Sequence, residues 1–433
     1  VRAQAAALAL LILASALPAR AAEEQAQRAA SEARLRAGFG VAPLPMVLGA
    51  PLGGYGGLVD RKARSVLDPP ESRALVLELE GSRLGIVALD IVIPRGELRA
   101  AVLAEVAPLG IDALLLAATH THSGPGGYIE GFLAARVTSG RFRPEIRAAI
   151  VKSAVEALRA ATENLQVARL TTGQTEVALA ENRTHSDGAR ETALPVLELL
   201  REDAPPIVLF AYGAHATTLS VRTHAYSADY IGAARRWIEA RGARALFLAG
   251  PLGDQRPVAL QPVPEGVDPE AAEAEEIGAA LANAVWNALP SLHASAPRLR
   301  LHEQELEVRA FEPRRFCAFW WLKPFVRGAA ERVLPESAPL QAWAIGDARL
   351  LALPAEPTSE LGSELRASIR KRFPDSTPFV LAHANEWTGY ALTPRGYREG
   401  GYESCLSFQG PTFGTTLVGE SERALERLAQ LVP

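Results

Sequence analysis

Thr119–Gly127 reads THTHSGPGG and directly follows the apolar run ALLLAA. In an extended chain residues i and i+2 face the same way, so His120 and His122 can converge on one point. The chain has only 8 histidines. Two of them at the break between a buried strand and a Gly/Pro turn suit a metal, or one ligand with one acid/base partner. The competing reading is a pair of turn histidines that hydrogen-bond locally. SGPGG supplies a tight turn and bare backbone that a ligand can approach closely. Neither HExxH nor CxxC occurs, so any metal site must be assembled from distant segments.

The elements that would assemble it follow from hydrophobic periodicity. RLGIVALDIVI (83–93), ALLLAATH (113–120) and ARALFLAG (243–250) read as buried strands. RPEIRAAIVKSAVEALRAATENL (143–165) and PEAAEAEEIGAALANAVWNALPSL (269–292) carry apolar residues at helical spacing. LPVLELL with PIVLFAYGA, and LQAWAI with ARLLALPA, read as two hairpins. The alternation predicts an α/β fold with a mixed β-sheet core flanked by helices. Several apolar runs also end in a residue able to bind a metal or move a proton: His120 and His122, His215, Asp254, Glu356 and Tyr390. Strand ends in α/β sheets are where ligands gather, because loops there present polar groups beside a dry core. Taken singly, each has a plainer reading. His215 fits a satisfied core histidine, Glu356 an N-cap residue for the helix after it, and Tyr390 a packing aromatic. His185, His224, His293, His302 and His383 read as ordinary surface or core histidines.

Composition narrows the class. The chain has 433 residues, 48% hydrophobic and 22% charged, with a formal net charge of −4. No basic excess points to nucleic acid. The opening VRAQAAALALLILASALPARAAEEQ has an arginine, an apolar stretch and the small-residue pattern Ala19-Arg20-Ala21. That layout predicts a signal peptide over 1–21 and an exported protein whose single domain spans 22–433. Export permits a disulfide, and Cys317 and Cys405 are the two cysteines; spacing alone leaves open whether they meet. FCAFWWLKPFVRG (316–328) packs aromatics beside Lys323 and Arg327. It reads as a patch for transient contact with a membrane surface or the wall of an acyl pocket, or as a buried connection whose basic residues reach out to water.

Taken together, GVAPLPMVLGAPLGGYGG (40–57), THTHSGPGG, ENR (181–183), GAHATT (213–218), LGDQRP (252–257), LPAEPTSE (353–360) and WTGYALTPRGYREGGYES (387–404) resemble the neutral/alkaline (non-lysosomal) ceramidase family in type and order. The resemblance covers roughly residues 39–405 and implies the fold of that family's catalytic domain, without its C-terminal β-sandwich. It implies a Zn2+ ion held by His120, His215, Glu356 and Tyr390, with His122, Arg183 and Tyr402 handling the substrate carbonyl and the tetrahedral intermediate. The activity implied is hydrolysis of a linear N-acyl amide by zinc-activated water, on ceramide or a related lipid. One departure bears on substrate. Arg256 stands where ceramidases carry a serine, so the alternatives are a zinc hydrolase of an ester or an anionic N-acyl compound, or a non-catalytic binding protein. Arg256 could select an anion, or turn outward or pair with Asp254.

Overall fold

The computed structural model describes residues 34–56, 61–131, 140–261, 268–308 and 334–432, with 266, 312, 314 and 317 between them. The expected signal peptide lies outside the described residues, as does the 316–328 segment apart from Cys317.

Near-continuous apolar runs, most of them buried on both faces, build the first sheet. Its strands are β1 (Arg36–Pro43), β2 (Glu71–Leu79), β3 (Ser82–Leu89), β4 (Ala113–Ala118), β5 (Gln166–Glu176), β6 (Ala193–Arg201), β7 (Ile207–Tyr212), β8 (Arg244–Ala249) and β9 (His293–Ser295). They lie in the order β8-β7-β6-β5-β1-β2-β3-β4, with β9 paired to β5. The β3–β4 and β7–β8 pairs are parallel and the rest antiparallel. A second sheet follows the order β10 (Leu299–Glu307), β11 (Ser337–Ile345), β12 (Ala348–Ala352), β13 (Thr377–Leu381), and here only β12–β13 is parallel.

The two sheets pack face to face. Leu75, Leu77, Ile86 and Leu115 of the first share a core with Trp343, Ile345, Leu350 and Phe379 of the second. Their neighbours Ala74, Val76, Val87, Leu114 and Leu116 point the opposite way, as the period of two requires. That outer face is covered by α1 (Gly96–Val106) and α2 (Pro144–Glu163) at one end, and by α3 (Asp229–Glu239) and α4 (Pro269–Ala288) at the other. Leu340, Ala342, Leu351 and Val380 on the far face of the second sheet meet α5 (Ser359–Arg372) and α6 (Phe413–Leu431). The expected mixed α/β core flanked by helices is therefore present, built from two sheets rather than one. Glycine sets one of the contacts. A Cβ on Gly38 or Gly40 would fall 1.8 Å from the Ala161 carbonyl oxygen or 2.0 Å from that of Ala157, so α2 can lie directly against β1 only because both residues lack one.

Both predicted hairpins form, as β6–β7 and β11–β12. The C-terminal ends of the parallel pairs β3/β4, β7/β8 and β12/β13 come together where the sheets meet. Ala117 bridges to Ala384 and Thr121 to Ala216. The Ala382 amide donates to Ala249 O at 2.9 Å and the Gly253 amide to Pro357 O at 2.9 Å. Loops from both sheets thus share one backbone hydrogen-bond system.

Candidate metal centre

THTH leaves β4 into this junction. Asp90, at the end of β3, anchors it: the carboxylate accepts from Arg235 Nη1 and Nη2 of α3 at 2.9 and 2.7 Å and from Thr119 Oγ1 at 3.0 Å. Both side chains of this ion pair are buried, where an unmatched charge would be costly. His120 then adopts φ +66°, a conformation that non-glycine residues rarely take and that local packing must hold.

Backbone carbonyls choose the tautomers of two rings. His120 Nδ1 lies 2.6 Å from Val92 O, and His215 Nδ1, beyond β7, lies 2.9 Å from Gln255 O. A carbonyl only accepts, so each Nδ1 carries the proton and each Nε2 presents a lone pair. Glu356, beyond β12, meets them: its Oε1 is 3.0 Å from His215 Nε2 and 3.5 Å from His120 Nε2. His215 Nε2 and Glu356 Oε1 are both buried without a hydrogen-bond donor. Two acceptors at 3.0 Å in a buried place repel unless a proton or a cation lies between them.

The electrostatics agree with a cation. Burial lowers the His120, His122 and His215 imidazoles below their ordinary range. Burial alone would raise the Glu356 carboxyl, but His120, His383 and His215 crowd against it and hold it well below the usual range. Neutral imidazole and ionised carboxylate are the forms a metal takes as ligands. His120 with His122 and His215, and His120 with Glu356 and His383, are two groups whose donor atoms could hold a metal ion. The residues present fit a divalent ion.

The remaining expected residues gather around this centre. Burial, with Glu356 beside it, raises the Tyr390 phenol well above its ordinary value. Arg183 Nη2 donates to Tyr390 Oη at 3.0 Å and to Gly253 O at 2.8 Å, and its Nε donates to Glu403 at 2.8 Å. Its guanidinium lies 5.0 Å from the centre of the Tyr402 ring. Tyr402 is 59% exposed and so stands at the rim rather than at the centre. His122 Nε2 is 3.2 Å from His120 Nε2, while its Nδ1 has no partner. The loop before β2 closes over His122: Gly54 has φ +102° and a Cβ there would strike the imidazole at 2.4 Å.

Two readings left open are decided, and a third changes. Glu356 is not an N-cap: Thr358 holds that position of α5, and Asp254 receives the Ser359 amide at 2.8 Å. Arg256 turns outward, with its side chain 59% exposed, and pairs with Glu181 at 2.6 Å rather than with Asp254. His383, read as an ordinary histidine, is wholly buried inside the cluster, its ring stacked on His120 at 4.0 Å and 12°. The signal was there: FVLAH is one more apolar run that ends in a histidine. Cys317 and Cys405, left open by spacing, are bonded, with Cα atoms 5.5 Å apart.

Known proteins support the likeness. Residues 46–250 match the family described as neutral/alkaline non-lysosomal ceramidase, N-terminal. The neutral ceramidase of Mycobacterium tuberculosis (strain ATCC 25618 / H37Rv) is 29% identical over 221 residues, which is 46% of this chain. The match spans 34% of that relative's own length. The crystal structure of neutral ceramidase from Pseudomonas aeruginosa superposes with a TM-score of 0.81 at 21% identity, covering 92% of this chain and 75% of that one. A ceramidase complexed with C2 gives 0.80 at 20% identity, with 92% and 76% covered. The chain is thus similar to the neutral/alkaline non-lysosomal ceramidases, in sequence over residues 46–250 and in fold over 92% of its length.

Proposed function

We propose that this protein is an exported zinc-dependent amidohydrolase of linear N-acyl amides, with a ceramide-like lipid amide as substrate. The observation that carries the reading is the pair of buried, donorless acceptors, His215 Nε2 and Glu356 Oε1, 3.0 Å apart beside the His120 lone pair. In this reading His120, His215, Glu356 and Tyr390 hold the zinc. A zinc ion supplies a Lewis acid for a carbonyl and lowers the pKa of water. Arg183, fixed by Glu403, Gly253 and Tyr390, turns its charge toward the substrate oxygen, which gains negative charge in the transition state. His122, neutral through burial, presents Nε2 to the centre 3.2 Å from His120 Nε2, where it aids proton transfer or stabilises the oxyanion. Tyr402, at the rim against the guanidinium, orients the substrate at the entrance. Export is supported by the leader-like opening and by the Cys317–Cys405 bond, since disulfides persist in oxidising compartments. Arg256 is already paired with Glu181 on the surface, which removes the reason to favour an anionic substrate.

The test is metal analysis of the purified protein together with turnover of N-acyl sphingoid and simpler N-acyl amides. About one zinc per chain is expected, lost in His215→Ala, with turnover abolished by a chelator and restored by zinc. Wild-type protein that takes up no metal from excess zinc would overturn the reading. So would metal-loaded protein that cleaves no acyl amide, which would leave a binding protein.

A further inference from the structure

His383 sits just past β13, where the chain turns back under the metal cluster. Its backbone is clamped: its amide donates to Ala355 O at 3.2 Å, its carbonyl accepts from the Ala118 amide at 3.0 Å, and φ is +49°. Asn385 extends the clamp, receiving the Leu116 amide on Oδ1 at 3.0 Å and donating its own amide to Leu116 O at 2.7 Å. A strained histidine is thereby held at a defined place between the two sheets. The ring is fully buried and neither nitrogen has a hydrogen-bond partner. Packing alone would be met by an apolar side chain of similar size, without stranding two polar atoms. The nitrogens therefore call for a partner.

Two roles are open to the ring, and geometry decides between them. His383 and His120 stack almost parallel, 12° apart with centres 4.0 Å apart. Imidazole lone pairs lie in the ring plane, so two parallel stacked rings cannot both aim theirs at one ion. Direct co-ligation with His120 is disfavoured. The other role is support. Glu356 Oε1 faces the His120 and His215 nitrogens, whereas Oε2 faces away, toward Trp387 Nε1 at 3.1 Å and His383 Nε2 at 3.8 Å. Carboxylates that bind metals are held by hydrogen bonds to the oxygen left over.

Resting on the zinc reading above, we propose that His383 is a positioning residue that sets how tightly the metal is held. Its Nε2 lies 3.8 Å from Glu356 Oε2, too far to hydrogen-bond but close enough to steady electrostatically the oxygen that Trp387 holds, and its ring face keeps the His120 imidazole in the orientation that the Val92 carbonyl selects. One side chain thus braces two of the ligands from outside the ligand set.

Three variants separate ring from nitrogen. His383→Phe keeps a stacking ring and removes the nitrogens; His383→Leu removes both; His383→Gln restores an amide donor without the ring. Zinc affinity is measured by chelator competition, and the cobalt-substituted visible spectrum reports the ligand set. Phe and Leu are expected to weaken zinc binding about 10–100-fold, with Gln intermediate and the cobalt spectrum keeping its shape. Thermal melts of the metal-free variants show that they fold, with midpoints of the Phe and Leu variants at or above wild type because these bury no unpaired nitrogen. Wild-type zinc affinity in His383→Phe overturns the proposal, as does a change in cobalt coordination, which would make His383 a ligand. The zinc reading fails separately, by wild type binding no zinc or by His120→Ala retaining it.

Discussion

At the scale of single residues, two backbone carbonyls do much of the work. Val92 O and Gln255 O each accept a hydrogen bond from an Nδ1–H, so His120 and His215 enter the cluster with lone pairs already aimed. Arg183 is held in the same spirit by a carboxylate, a carbonyl and a phenol, a set that needs the forked guanidinium. Arg183→Lys is therefore expected to lower kcat/KM about 100-fold while zinc content stays at the wild-type level. Steady-state kinetics beside metal analysis checks this, and loss of metal in that variant would assign Arg183 to holding Tyr390 instead. His120, His215 and Glu356 were legible in the sequence because each ends an apolar run. His383 obeys the same rule, yet a lone histidine looks identical whether it fills a core or braces a ligand.

At the scale of elements, pairing across the first sheet carries a pH-dependent term. Thr171 of β5 lies opposite Glu198 of β6 and donates to its carboxylate at 3.1 Å. Burial raises the Glu198 carboxyl above its ordinary value, with only the threonine opposing. A raised folded-state pKa means the folded form holds its proton more tightly than the unfolded form. The group's contribution is then fully present below the unfolded pKa and is lost as pH rises through the folded one. Glu198→Gln has no proton to lose, so it should lie within about 0.5 kcal/mol of the parent at pH 4 and gain on it steadily toward pH 8. Melting midpoints of the two proteins between pH 4 and pH 8 test the sign; a constant difference would show that the carboxyl does not titrate with folding. Both hairpins were legible because their turns are short and polar. The division into two sheets was not, since strands buried on both faces show no alternation that tells which neighbour they meet.

At the scale of the molecule, the Cys317–Cys405 bond spans 88 residues of sequence and ties the chain after β10 to the short helix Tyr402–Cys405 that carries Tyr402 and Glu403. Arg314 strengthens the same junction, donating to Ser404 Oγ and to Arg398 O at 2.8 Å each. Closing so long a loop restricts the unfolded chain, and Cys405→Ser is expected to lose about 2–4 kcal/mol of stability. Cys317→Ser should lose about the same, and the double variant no more than either alone. Denaturant unfolding with and without reductant measures this. A double variant as stable as wild type would show that the bond adds nothing beyond the packing around it.

By itself the sequence determined which segments are strands and helices and that polar donors stand at strand ends, because these depend on residue type and local spacing; that THTHSGPGG belongs with GAHATT and LPAEP was implied only by the resemblance to the ceramidase family. Only the tertiary structure decided which donors meet. Two sheets had to stack with the ends of three parallel pairs at one junction before His215 Nε2 and Glu356 Oε1 could lie 3.0 Å apart. The same stacking laid His383 flat on His120, turned Arg256 out to Glu181 and brought Cys317 to Cys405. Contacts between residues far apart in sequence depend on how the sheet faces pack, and periodicity along the chain carries no record of that.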